Sequence, residues 1–142
     1  MTLPSFAAAS TAGKPAADPE YVAGVCNIGS AEIARRRRAG HVGLVVTLGS
    51  FVVLALIGAP PPARFLVAVP AAGAASGYLQ ARLRFCAGFG SRGVFNFGPL
   101  GPTERVADDD ARARDRARAT RIGLASLAFG VAVGVVAALI PR

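Results

Sequence analysis

The side chains of this chain that could do covalent or metal chemistry are few: Cys26, Cys86 and a single histidine, His41, among 142 residues. A thiolate nucleophile needs a base within hydrogen-bond reach, so a thiol-dependent enzyme would have to pair Cys26 or Cys86 with His41. Zinc is disfavoured, because the cysteines lack C-x-x-C spacing and no other soft ligand accompanies them. Both cysteines fall on the side read below as cytoplasmic, where a reducing compartment argues against a disulfide. Buried free thiols are therefore expected, with a bonded Cys26–Cys86 thiol pair, or reactive or acylated thiols, as the alternatives. His41 could serve a haem or pigment as an axial ligand. One histidine per chain excludes bis-histidine ligation, and its place beside a run of arginines reads more simply as a polar boundary residue. No cofactor and no metal is expected.

Glycine-bearing patterns are the next source of chemistry. Gly88-Phe89-Gly90 followed by Gly93 spells G-x-G-x-x-G, but a nucleotide loop needs a strand before it and a helix after it, and neither is expected. The stretch from Phe85 to Gly98 holds half of the eight phenylalanines, Phe85, Phe89, Phe95 and Phe97, interleaved with glycines and Arg92. Glycines break helix and permit close backbone approach, while the rings prefer an apolar surface. An interfacial loop, or one packed under a helix bundle, is predicted. Asn27-Ile28-Gly29 and Asn96-Phe97-Gly98 are two similar turns, each near a cysteine. They could meet where the N-terminal segment and this loop come together.

Hydropathy sets the elements that must position these residues. The chain is 53% hydrophobic, and three stretches, Val42–Gly58, Phe65–Leu79 and Ile122–Ile140, carry no charge. Inside a bilayer every backbone polar group must be satisfied within the segment, so such stretches become helices. The prediction is an all-α membrane protein with three transmembrane helices, over about residues 41–58, 64–82 and 121–140. A short interfacial helix with Ser30 as N-cap and Glu32 in its first turn precedes the first span. A charged cytoplasmic helical stalk, opened by Thr103, precedes the third. The first span covers about 27 Å and is stopped by Pro60, Pro61 and Pro62. Phe65–Leu79 gives only about 22 Å and contains Pro70. A tilted or kinked span is expected there, extended by snorkelling of Arg64 and Arg82, with a re-entrant segment as the alternative. Residues 1–24 are rich in Ala, Ser, Thr and Pro and read as a disordered tail without a secretory-signal pattern. Residues 25–142 form one membrane domain, with a cytoplasmic loop at 83–120.

The net charge of +8 is almost wholly arginine. Arg35, Arg36, Arg37 and Arg38 precede the first span, and nine arginines from Arg82 to Arg121 lie between the second and third. The turn between the first two spans carries only Arg64, and only Arg142 follows the third. By the positive-inside rule both rich segments are cytoplasmic, as in a bacterial-type inner membrane, with the N-terminus inside and the C-terminus outside. Four consecutive arginines step about 100° each around a helix, a ring suited to anionic lipid headgroups on every side. That ring is read as a topology anchor, with a specific lipid or partner site as the alternative. Nucleic acid is not expected as a partner, since no binding motif accompanies the charge. On the stalk, Asp108–Arg112, Asp110–Arg114 and Asp115–Arg118 are spaced for ion pairs on a solvated face.

Gly73-x-x-x-Gly77 and Gly130-x-x-x-Gly134 let helix backbones approach closely, in internal contacts or partner surfaces. No charged residue lies inside a span, which disfavours a proton relay or ion site. These features predict a non-catalytic accessory or assembly subunit of a larger inner-membrane complex, of respiratory or photosynthetic type. Its partners are then other integral-membrane subunits or further copies of itself. The alternatives are a homo-oligomeric channel or transporter lined by some of Thr47, Ser50, Ser76 and Ser126, and the thiol-dependent membrane enzyme.

Overall fold

The computed structural model describes residues 20–141; most of the expected tail, residues 1–19, and Arg142 lie outside the described residues. The elements in order are α1 (Ser30–Leu56), α2 (Pro61–Phe65), α3 (Ala68–Arg82), α4 (Ala87–Arg92), β1 (Val94–Phe95), β2 (Glu104–Arg105) and α5 (Asp109–Leu139). The fold is mostly helical. Two helices, α1 and α5, are long and apolar enough to cross a membrane, and α3 at 15 residues is not by itself.

The expected interfacial helix and first span are a single helix, because no proline separates Ser30 from Leu56, the arginines between are good helix formers, and Gly40 and Gly43 are held helical at close contacts with α3. Ser30 is not its N-cap. Gly29 holds that position without a side-chain cap, and a Cβ there would sit 2.8 Å from the Phe97 carbonyl oxygen. The helix stops as the sequence requires. Gly58 turns left-handed at φ 63°, its N–H bonds to the Ala55 carbonyl and that of Ala59 to the Leu54 carbonyl, and prolines follow.

Pro70 explains why the second apolar stretch is split into α2 and α3. It has no N–H for the Leu66 carbonyl, so Val69 N–H takes that carbonyl at 3.2 Å and the helix tightens there. With this joint included, residues 61–82 rise about 33 Å along the chain. At the far end Arg84 adopts φ 52°, and Phe85 N–H closes onto the Gln80 carbonyl at 3.0 Å. This is the usual left-handed helix stop, made with arginine where glycine would be unstrained.

Stalk and third apolar stretch are likewise one helix, α5. Its cap is Asp108, which accepts from Ala111 N–H at 2.9 Å; Thr103 lies before β2 and caps nothing. The expected ion pairs are replaced by Arg112–Asp109 and Arg114–Asp108. The stalk is not solvated all round: Ala111, Asp115, Ala119 and Ile122 form a buried stripe at helical spacing.

In the bundle α3 lies between α1 and α5 and runs antiparallel to both. Gly77 meets the backbone of Arg36 and Gly40, and Gly43 meets Ala74; on the other side Gly130 meets Ala68 and Ala72, and Gly134 meets Phe65 and Ala68. It follows that α1 and α5 run in the same direction. The buried positions along this part are small, among them Ala71, Ala74, Gly77, Ser126, Gly130 and Ala137, while Val45, Val53, Leu56, Leu124, Val136 and Leu139 face outward.

At one end the N-terminal segment, α4 and the start of α5 form a polar cap. The all-α expectation needs one amendment here, a two-residue antiparallel ladder pairing Val94 with Arg105 and Phe95 with Glu104. A single parallel bridge, Ile28–Asn96, ties the N-terminal segment beside it.

Candidate functional site at the basic end

The two Asn-x-Gly turns meet in this cap. The Asn96 N–H donates to the Asn27 carbonyl at 3.0 Å, and the Gly29 N–H donates to the Asn96 carbonyl at 2.8 Å. Both asparagine side chains are spent on backbone. The Asn27 carboxamide accepts from Cys86 N–H at 2.7 Å and donates to the Cys86 carbonyl at 3.1 Å, and Asn96 Oδ1 accepts from Gly98 N–H. Spacing alone suggested the meeting; the clamp by Asn27 on Cys86 leaves no mark in the sequence.

Cys26 and Cys86 are both buried and unlinked. The Cys26 thiol donates to the Glu20 carbonyl at 3.1 Å, while Cys86 Sγ accepts from Arg36 Nη2 at 2.9 Å. His41, the one imidazole available to a thiol, instead shares a 2.6 Å hydrogen bond with the Tyr78 hydroxyl. Nothing in this arrangement places a base on either sulfur.

The arginine run is not an even ring. Arg35 and Arg36 turn back to Glu32, at 3.5 and 3.7 Å, and Glu32 is 1% exposed. A carboxylate that deep needs a cation beside it, and one helical turn supplies two. Arg37 and Arg38 stay in the open. Sequence reading placed Glu32 near the helix dipole and missed its burial, which the arginines three and four residues on could have signalled.

Asp115 is fully buried and pins the N-terminal segment. It accepts from the Tyr21 hydroxyl at 2.8 Å and from Gly24 N–H at 2.7 Å, and Tyr21 stacks on Phe95 at 4.8 Å between ring centroids. Arg118, its expected partner, makes no ion pair with it. Tyr21 and Gly24, assigned to the tail, therefore belong to the folded cap. Burial first, and then the bond to the Asp115 carboxylate, raise the Tyr21 phenol above its ordinary value.

The phenylalanines of the Phe/Gly stretch divide between the core and half-buried positions. Phe85 packs on Ala119 and Ile122, and Phe89 on Ile28 and Cys86, both as core side chains. Phe95 and Phe97 are half-buried, and Arg92 is exposed with its guanidinium 5.8 Å from the Phe89 ring centroid. The G-x-G-x-x-G glycines lie in and just after α4, where Gly93 provides the left-handed stop. Three of the four expected packing glycines, Gly77, Gly130 and Gly134, stand at close backbone approaches. Gly73 does not: a Cβ there would meet nothing within 4 Å, so its packing role is not made inside this chain.

The hydroxyls considered for a pore are engaged locally. Thr47, Ser50 and Ser126 each donate to a carbonyl of their own helix, and Ser76 accepts from Gln80. At the end away from the cap, Arg64 is buried and donates to the Ile140 carbonyl at 2.6 Å, closing the last turn of α5.

Two hollows lie between α1 and α5 over α3, one of about 470 Å³ beside Tyr78 and Arg82 and one of about 160 Å³ beside Phe51 and Val136, and a third of about 200 Å³ lies between α3 and α5 beside Arg118 and Arg121. Among the described residues no group of three His, Cys, Asp or Glu side chains could hold a metal ion. Comparison with known protein families, with curated proteins and with solved structures finds no match.

Proposed function

We propose that this chain is a small, non-catalytic integral-membrane subunit, a three-crossing module that docks on a larger inner-membrane complex with its basic end in the cytoplasm. The observation that carries this is the inverted polarity of the bundle. Along the apolar parts of the long helices the buried positions are mostly alanine, glycine and serine, while Val45, Leu48, Val53, Leu56, Leu124, Phe129, Val136 and Leu139 are exposed. Only 11% of the most apolar window of α1 is buried. Water would not tolerate an exposed apolar belt of this extent, whereas lipid requires one and leaves close backbone packing as the cohesive force.

The third crossing is supported by chain direction. Helices α1 and α5 run parallel, so if both cross, the chain between them must return, and α2–α3 is the helical path that lies between them. Arginines collect at the cap end, which the positive-inside rule assigns to the cytoplasm. A docking role is supported by how the cap spends its polar groups: Asn27, Asn96 and Asp115 are taken up within the chain. Facing outward are an apolar belt, the open backbone at Gly73, and at the cap arginines with the shorter acidic set Glu104, Asp108, Asp109 and Asp110.

The test is gentle extraction of the tagged full chain followed by identification of what co-purifies. A stoichiometric assembly containing other integral-membrane polypeptides is the expected result. A homo-oligomer alone would favour the channel reading, and a soluble chain would end the membrane reading altogether.

A further inference from the structure

We propose that the α1–α5 groove is a binding site for one anionic phospholipid, its acyl chain lying on α3 and its phosphate held by Arg82, Arg118 and Arg121. This rests on the membrane reading above. The hollows line up along the bundle. The two between α1 and α5 follow the same helical stripes, Leu44, Leu48 and Phe51 along α1 and Phe129, Val133 and Val136 along α5, at spacings that keep each set on one face, and the third adjoins the wider of them through Leu79 and Ala125. The result is a single apolar channel, open on one side, with a widest part of about 470 Å³, within the range that holds a small hydrophobic ligand.

Its polar groups are confined to the cap end. Arg82 lines the widest part, and Arg118 and Arg121 line the hollow next to it, which shares Leu79 and Ala125. Arg118 is half-buried at this hollow, and its Nε–H, covered by the protein, has no hydrogen-bond partner within the chain. No acidic side chain lines either hollow, and the nearest carboxylate on α5, Asp115, is occupied by Tyr21 and Gly24. An apolar channel ending in three unneutralised guanidinium groups complements a chain ending in a phosphate. A partner helix would fill the channel but would leave that charge unanswered. The α1 arginines make no such site, since Arg35 and Arg36 are drawn to Glu32.

The experiment uses the full chain purified in mild detergent, incubated with a mixture of phosphatidylglycerol and phosphatidylcholine, re-purified and read by native mass spectrometry. Phosphatidylglycerol should remain at near-stoichiometric level and phosphatidylcholine should not. Substituting Arg118→Gln with Arg121→Gln should lower its retention about tenfold, and Ala125→Phe should lower it by filling the channel. The control pair Arg37→Gln with Arg38→Gln, exposed on α1, should leave it unchanged. Equal retention of both lipids, or equal loss in the control pair, overturns the proposal. So does an Ala125→Phe variant that sheds a polypeptide and no lipid, which would give the channel to a partner helix. Alkaline carbonate extraction of the same membranes keeps the two readings apart: a chain that stays in the pellet yet holds no phosphatidylglycerol sinks only the lipid site.

Discussion

Gly77 and Gly73 lie one turn apart on α3 and carry the same residue, so replacing each with alanine isolates the effect of close helix approach. At both positions alanine gains helix propensity, up to about 1 kcal/mol in water. At Gly73 the new methyl meets open space. At Gly77 it would lie 2.5 Å from the Gly40 nitrogen and 2.8 Å from the Arg36 carbonyl oxygen, both backbone atoms that no rotamer change can move. Since carbon contacts settle near 3.5 Å, α1 must retreat by about 1 Å over its tightest crossing. Overpacking of that kind costs about 1–3 kcal/mol, and because the propensity gain is common to both variants, that is the expected difference between them. The measurement is the unfolding midpoint of each variant on titrating dodecyl sulfate into mild-detergent micelles. Gly73→Ala should match or exceed the parent, and Gly77→Ala should fall well below it. Gly40→Ala should be intermediate, because its methyl would press at 3.0 Å on the Tyr78 ring, a side chain that can yield. Equal midpoints for Gly73→Ala and Gly77→Ala would refute the claim that backbone contact holds α1 to α3.

Tyr21→Phe should loosen the cap by about 1–3 kcal/mol, because Asp115 keeps one partner of two while staying buried; limited trypsin cleavage within Arg112–Arg118 reads it. The raised Tyr21 value means the fold favours the protonated phenol. Its contribution is therefore complete below about pH 10 and is lost as pH climbs from there toward the raised value. The parent cap should become protease-sensitive over that alkaline range and Tyr21→Phe should show no such step; an identical alkaline step in both would remove Tyr21 as its cause. Arg84→Gly should stabilise the α3 stop by about 1 kcal/mol by relieving the positive φ of 52°, seen as a higher melting midpoint, and a lower one would mean the Arg84 side chain contributes more than its backbone costs. In a chain with both native cysteines replaced by serine, Ala107→Cys and Pro61→Cys should label from opposite faces of the membrane; labelling from the same face would demote α2–α3 to a re-entrant segment.

Helix ends and close approaches were legible where one residue type forces the geometry. Gly58 before its prolines, the break at Pro70, and the facing glycines Gly130 and Gly134 all follow from sterics within a few residues. The cap was legible only in outline, because its bonds join residues far apart in the chain. Asp115 reads on a helix surface as a partner for Arg118 three residues on, and only the arrival of Tyr21 and Gly24 turns it inward. Glu32 and Arg36 look like surface charges by composition, yet Glu32 is buried and Arg36 reaches Cys86, fifty residues on, just before α4. Gly73 shows the reverse error: its four-residue spacing to Gly77 suggested a shared face, but the next approach of α1, at Gly43, falls on Ala74 and leaves Gly73 open.

The weakness of the second apolar stretch in the sequence has a physical source in its position. A helix pressed between two others at backbone distance can carry only small side chains on its contact faces, and α3 does so with Ala68, Ala71, Ala74, Gly77 and Ala81. Alanine and glycine contribute little hydropathy, whereas α1 and α5 show long apolar side chains outward and score accordingly. Hydropathy thus measures what a helix presents to lipid more than whether it crosses. A central, lipid-shielded crossing and a re-entrant hairpin therefore give the same faint signal. What separates them is direction, since parallel α1 and α5 demand a return path and a re-entrant α3 would put Ala107 on the face that carries Pro61. The labelling of those two positions decides the topology, and with it whether the arginines of α1 and α5 share one membrane face.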